Sequence, residues 1–431
     1  MKTYFLLLSF LISSSLFAQD DVAPAPKQTQ PIAITNATIH VGNGQVLNNA
    51  TVLINNGKIA AVGTDVMYTM NAKVINAQGK HVYPGFILSN TNVGLVDVGN
   101  VRATSDAEEI GDYNASVRAI VAYNAEQKVI NTLRPEGVLL ANIVPEGNLL
   151  SGSSSVVQLD AWTWKDAVYA MDNGLHFYMP SLLAPPPNGR PRTDADIDPV
   201  KQGLQKVDDF KAFLKEAKAY LKTKAPEETN LKYAAVKGLF DSTKKLFIHA
   251  STVKQILVAI DIAREVSVPL VIVGGEDSWQ LTGLLKQYNI PVILTRMHTL
   301  PIAEDDDVDQ PYKTPFLLQQ AGVLFAINDE DEQTRGRNLA FEAGTAVAYG
   351  LTKEQALSSI TLNAAKILGI DSLTGSIEAG KDANLFISDG DALDMRTNLL
   401  SHAFIQGREI PLVSHQTELF DKYEKKYGVM K

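Results

Sequence analysis

The sequence predicts an α/β protein in which a TIM-like (β/α)8 barrel carries a small composite β-sandwich built from both chain ends. Three observations lead there. Short β-type segments occupy both flanks, and strands alternating with helices fill the middle. The chain's 431 residues also hold a barrel of about 250 residues with room for a second module.

Residues 1–18 read as a secretory signal. Lys2 precedes an apolar run from Tyr4 to Ile12, and Ala18 stands just before the polar start Gln19-Asp20-Asp21. That run is too short for a membrane span, which takes roughly 20 apolar residues. The expectation is an exported protein, periplasmic or secreted. Residues 19–31, rich in proline and polar side chains, read as a linker. Residues 32–82 form the first part of the sandwich. They run IAITNATIHV, a Gly42-Asn43-Gly44 turn, then ATVLINNGKIAAVG, where Asn55-Asn56-Gly57 between apolar runs signals a hairpin.

Residues 83–365 carry the barrel pattern. GVLLANIV (137–144), SSVVQL (154–159), KLFIHA (245–250), PLVIVGG (269–275), PVILT (291–295) and GVLFAIND (322–329) are short apolar runs suited to buried parallel strands. Helical stretches at 252–266, 278–289 and 314–321 separate several of them. Amphipathic helices at 200–240 are inserted after the fourth strand, behind the long loop APPPNGRPRTDADIDP. GSIEAGKDANLFISDGD and LLSHAFIQGREI return to β texture, so residues 366–414 complete the sandwich. Residues 415–431 read as a charged helix or tail.

Composition removes several function classes. A formal net charge of −9 with no basic run argues against nucleic acid and anionic membrane surfaces as partners. The absence of cysteine excludes disulfides, thiolate nucleophiles and Cys-based zinc sites, and in an exported protein it favours a periplasm. SGSSSVV (151–157) lacks the strand–G-x-S-x-G–helix context of a nucleophile, and reads as a structural loop at the third strand. GGEDSW (274–279) lacks the spaced glycines of a dinucleotide fingerprint. Trp162 and Trp164 flank an exposed-looking turn, where packing outranks an aromatic ligand platform.

GKIAAVG (57–63), VYPGFI (82–87), AVAYGLTKEQALSSITLNAAKILGI (346–370), GSIEAGKDANLFISDGD (375–391) and IQGREI (405–410) resemble the amidohydrolase superfamily, in its imidazolonepropionase-like, secreted bacterial branch. The resemblance implies one or two divalent metals at the C-terminal mouth of the barrel. The usual ligands are a His-x-His on the first strand, a carboxylate or modified lysine on the fourth, histidines on the fifth and sixth, and an Asp on the eighth. Zinc held this way keeps a coordination position open and lowers the pKa of its bound water to about 7.

Most of that ligand set is degenerate here. The first-strand pair becomes Asn90 and Asn92, neutral amides that are weak zinc ligands. Gly274 stands near the sixth-strand histidine position, followed by Glu276 and Asp277. The fourth strand offers no Lys or Glu, although His176 lies close by. His249 matches the fifth-strand histidine and Asp329 the eighth-strand aspartate. The resemblance therefore makes Asp329 the candidate catalytic residue, and His249 and Asp329 the candidate metal ligands. His298 and His176 are further pocket candidates, while Asp305-Asp306-Asp307 reads as a solvated loop.

Two functions compete. One is a hydrolase of C–N bonds in a small cyclic or amide-like molecule, with one weakly bound divalent metal, zinc first. The other is a catalytically inactive member without a metal that binds a ligand or pairs with an active paralogue. A catalytic zinc normally uses three protein ligands, and only two strong ones are legible. The expected partner is a small molecule, with a homo-oligomer or paralogue as the candidate protein partner.

Overall fold

The computed structural model describes residues 23–147, 149–183, 198–223, 228–329 and 336–428. The long loop after the fourth barrel strand and the segment read as a secretory signal lie outside the described residues.

The chain opens with β1 (Ile32–His40), β2 (Val46–Asn55), β3 (Lys58–Gly63), β4 (Lys73–Asn76) and β5 (His81–Pro84). The β2–β3 hairpin turns at Asn56 and Gly57, both with positive φ, the conformation that Asn-Gly adopts most readily. Eight strands follow in the barrel: β6 (Phe86–Thr91), β7 (Val138–Ile143), β8 (Leu150–Gln158), β9 (Val168–Tyr178), β10 (Lys245–Ala250), β11 (Leu270–Gly274), β12 (Val292–Leu294) and β13 (Phe325–Ile327). The chain returns to the first sheet with β14 (Leu385–Ser388), β15 (Leu400–Ile405) and β16 (Arg408–Glu409).

The two chain ends make one sheet. β5 pairs antiparallel with β14, from Leu385 opposite Pro84 to Ser388 opposite His81, and gives the order β16-β15-β14-β5-β1-β2-β3 with β4 on β1. Its apolar face encloses a separate core that includes Ile34, Ile54, Val82, Leu385 and Phe404. A buried carboxylate ties this sheet to the barrel. Asp160 accepts from Arg134 Nη1 (2.8 Å), from Arg408 Nη1 (2.6 Å) and from the backbone N–H of Ala25 (2.9 Å). Part of the segment expected to be a linker is thus docked on the body, with Gln28 also accepting from Gly57 N–H.

The barrel sheet runs β6 to β13 in chain order. All neighbours are parallel except around β8, which is antiparallel to both β7 and β9. This corrects the expectation of a parallel strand at 154–159. The link from Ile143 to Leu150 is too short for a crossover, which takes a dozen or more residues, so only a hairpin can form. The Ser/Gly stretch expected to be a loop lies inside β8. Its hydroxyls are occupied: Ser151 donates to Pro145 O and Ser154 to Asn173 Oδ1, while Ser153 accepts from Lys244 Nζ and Ser155 from Asp172 N–H.

Helices cover the barrel. That at Val253–Val266 starts on a Thr252/Gln255 capping box and buries Ile256, Ile260 and Val266. The insertion forms a long helix, Pro199–Tyr220, and two short ones, Leu231–Ala235 and Lys237–Phe240. The C-terminal residues form an exposed helix, His415–Tyr427. Among the described residues, no helix is long and apolar enough to cross a membrane.

Between β13 and β6 the ladder stops, and a side chain completes the closure. Asn328, directly after β13, accepts from Ser89 N–H (2.8 Å) and Asn90 N–H (3.1 Å) through Oδ1. Its Nδ2 donates to Asn90 O (2.8 Å). It acts as a stand-in for a strand backbone at the point where the first barrel strand reaches the mouth.

Candidate functional site at the barrel mouth

The parallel strands β6, β10, β11 and β13 bring their C-terminal ends to one rim, where barrel enzymes build their sites. Asn90 is the penultimate residue of β6, is buried, and has its backbone fixed by Asn328. Asn92, just past β6, donates through Nδ2 to Glu146 Oε1 at 2.9 Å, and its own Oδ1 is buried without a partner. Burial raises the pKa of Glu146, opposed by the Asn92 hydrogen bond and aided by Glu108. Asp329 is buried two residues beyond the end of β13.

The two histidines of the floor meet each other. His176 Nδ1 and His249 Nε2 are 3.0 Å apart, on the paired strands β9 and β10. One ring donates and the other accepts, so the pair is satisfied when both are neutral. Burial holds His249 down to about 3 and pushes His176 well below its usual range, helped there by His249. Aromatic rings clamp both: Tyr178 stacks on His249 at 3.8 Å and Phe247 on His176 at 4.8 Å. His176 Nε2 remains buried with no partner.

Gly274 ends β11 with φ +98, a conformation that suits glycine. A Cβ there would lie 3.1 Å from Glu276 Oε2 and from Ser251 Oγ, and 3.2 Å from Ala250 O. The backbone therefore disfavours any side chain at this vacated ligand position, and the carboxylate of Glu276 reaches into the space. His298 belongs to a different cluster. Half-exposed after β12, it sets Nδ1 3.0 Å from Glu342 Oε1 and Nε2 2.8 Å from Thr345 Oγ1. Burial raises the Glu342 pKa, with His298 and the backbone N–H groups of Met297 and His298 opposing it.

The structure thus pairs His176 with His249, links Asn92 to Glu146, and sets His298 aside with Glu342. Among the described residues, no three His, Cys, Asp or Glu side chains are grouped to hold a metal ion. The donor set does not fit the zinc centre implied by the sequence: one face of the imidazole pair is spent on an internal hydrogen bond, and the first-strand positions offer amides. What remains is a polar floor of neutral imidazoles, amides and a buried acid, able to give and take hydrogen bonds. Glu146, Asn328 and Tyr178 were not singled out from the sequence. Glu146 carried a signal, an acid directly after an apolar strand; Asn328 was overshadowed by its neighbour Asp329.

The class defined here is an α/β barrel with a sheet built from both chain ends, and known proteins share it. A family model described as the amidohydrolase family matches residues 317–415. An amidohydrolase from Thermotoga maritima superposes with a TM-score of 0.76 at 25% identity, covering 88% of this chain and 99% of that one. The imidazolonepropionase of Picrophilus torridus is 33% identical over 110 residues, 24% of this chain and 28% of that protein. That of Thermoplasma volcanium is 36% identical over 86 residues, 20% of this chain and 21% of its own length. The chain therefore spans less than a third of the length of these curated relatives. The comparisons support the amidohydrolase superfamily, by sequence over the C-terminal part and by fold over most of the chain.

Proposed function

We propose that this chain is a ligand-binding member of the superfamily, catalytically inactive as a metallohydrolase, that receives an amide-like small molecule at the barrel mouth. The observation that carries the reading is the 3.0 Å contact between His176 Nδ1 and His249 Nε2, which commits His249 Nε2 to a neighbour instead of an ion. The reading includes export to the periplasm, on the strength of the N-terminal segment. Elemental analysis of the native protein after dialysis, paired with assays on small cyclic amides, tests it. We expect metal far below one equivalent and no turnover. Stoichiometric zinc together with amide hydrolysis that a chelator abolishes would overturn it.

The second reading, a C–N hydrolase with a reduced metal centre, is favoured by one observation. His176 Nε2 is buried without a partner, which leaves one imidazole nitrogen open to a metal or a ligand atom.

A further inference from the structure

Where the composite sheet meets the barrel, a cavity of about 260 Å³ opens, lined from β1, β5 and the helix Lys353–Ser359. It exceeds the roughly 150 Å³ that suffices to hold one benzene ring. Tyr83, Leu357 and Leu393 give it apolar surface. His40 stacks on Tyr83 with centroids 4.3 Å apart and on His81 at 5.2 Å, so part of the wall is made of flat rings. The charged groups already have partners: Lys353 Nζ stands 2.6 Å from Asp391 Oδ2, and Glu354 Oε1 2.7 Å from His40 Nδ1. His81 completes the set. Its Nδ1 lies 2.9 Å from His40 Nε2, while Nε2 of this half-buried ring makes no hydrogen bond among the described residues.

Valence fixes what His81 Nε2 offers. A carboxylate only accepts, so His40 Nδ1 carries a proton. With both imidazoles neutral, His40 Nε2 must accept from His81 Nδ1–H, which leaves His81 Nε2 a bare acceptor. Uptake of one proton by either ring turns the same nitrogen into a donor. The groups that face this pair are Tyr83 on β5, Lys353 and Glu354 on the helix, and Asp391 after β14. Burial, then His40, lowers the His81 pKa, opposed by Asp391 and aided by Lys353, which favours the bare-acceptor form.

We propose that this cavity binds a small neutral aromatic molecule bearing one N–H or O–H donor, taken up while both imidazoles are neutral. The donor points to His81 Nε2, and the ring lies against Tyr83, Leu357 and Leu393. A neutral guest fits because each charged lining group is already engaged within the chain. None of the rim residues lines this cavity, and its occupancy is independent of what binds at the mouth.

The test is fluorine NMR titration of the full chain with 5-fluoroindole, a donor that does not ionise, and with 5-fluorobenzofuran, a near-isostere without the N–H. At about pH 8.5, well above the ordinary imidazole value of about 6.5, 5-fluoroindole should bind about three- to tenfold more tightly, the range of one net hydrogen bond. That preference should vanish as pH falls through the titration of the His40–His81 pair, followed by its ring-proton signals. It should also vanish in His81→Leu at the higher pH. Equal affinities of the unmodified chain at the higher pH overturn the proposal, as does failure of 5-fluoroindole to bind. So does a preference that outlasts protonation of the pair or survives in His81→Leu. If His81→Leu does not fold, the pH titration of the unmodified chain decides alone.

Discussion

Asn328 offers the sharpest test of how the mouth is held. Its orientation is dictated by fixed groups: two backbone N–H donors face Oδ1 and one carbonyl faces Nδ2. Asn328→Ala removes all three hydrogen bonds, and each buried group so left costs about 1–3 kcal/mol. Water entering the space left by the amide offsets part of this, so the expected loss is about 3–5 kcal/mol, a large share of the roughly 5–15 kcal/mol typical of a domain. Urea denaturation measures the total, and hydrogen exchange at the amides of Ser89 and Asn90 localises it. Asn328→Asp is the informative companion. Its carboxylate keeps both N–H bonds but points a second oxygen at Asn90 O, so burial and that repulsion raise its folded pKa. A raised pKa stabilises the protonated fold, so this variant should recover stability relative to wild type as pH falls through that value, and lose it again as pH rises. An Asn328→Ala protein within about 1 kcal/mol of wild type, with unchanged exchange at Ser89 and Asn90, would refute the idea that this side chain closes the barrel.

Two further outcomes follow from the same geometry. At the junction of sheet and barrel, His40 Nδ1 meets Glu354 Oε1 at 2.7 Å and His40 Nε2 meets His81 Nδ1 at 2.9 Å, beside Tyr83 and the Lys353–Asp391 pair. Burial, then His40, lowers the His81 pKa, with Asp391 opposing. The unfolded chain takes up the proton first, so stability falls as pH drops below about 6.5 towards the lowered folded-state value. His81→Gln should flatten this part of the urea-midpoint profile, and an unchanged profile would contradict the assignment. For zinc, replacing Asn90 and Asn92 with histidine adds imidazoles but leaves His249 Nε2 engaged by His176. Calorimetry should show tighter zinc binding in the triple variant that also carries His176→Leu than in the double variant. Equal affinities would mean that the pair does not withhold that nitrogen.

The architecture was largely legible because its signals are local. The helix at Val253–Val266 announces itself through Thr252, Gln255 and a periodic apolar face, and the β2–β3 hairpin through Asn56-Gly57. The reversal of β8 was equally available in the six residues between Ile143 and Leu150, but its apolar run resembles a parallel strand when composition is read without connection length. The candidate site residues, His249, Asp329, Asn90, Asn92, Gly274 and His176, were named only through family resemblance. The partners that define the site are distant in the chain: Asn328 serves Asn90 across 238 residues, and His176 meets His249 across 73. No local pattern encodes an amide acting as a strand, so Asn328 reads as an ordinary polar residue.

On the proposed reading, the loose ends at the mouth belong to a retained binding site and not to a decayed catalytic one. A site that merely lost its ligands would relax until its buried polar atoms were paired or replaced by apolar ones, because each unpaired atom costs about 1–3 kcal/mol. Part of this mouth has done so: Asn92 holds Glu146, His176 holds His249, and Gly274 makes room for Glu276. Yet Asn92 Oδ1, His176 Nε2, Glu276 Oε2 and Trp279 Nε1 stay buried and unpaired within the chain. These atoms belong to residues at the strand ends and just beyond them. The same barrel pairs its Ser/Gly strand completely, with Ser151, Ser153, Ser154 and Ser155 each bonded. On the proposed binding reading, the mouth keeps these atoms for a polar molecule, although unpaired buried atoms also occur elsewhere, at Tyr113, Arg134 and Asn398.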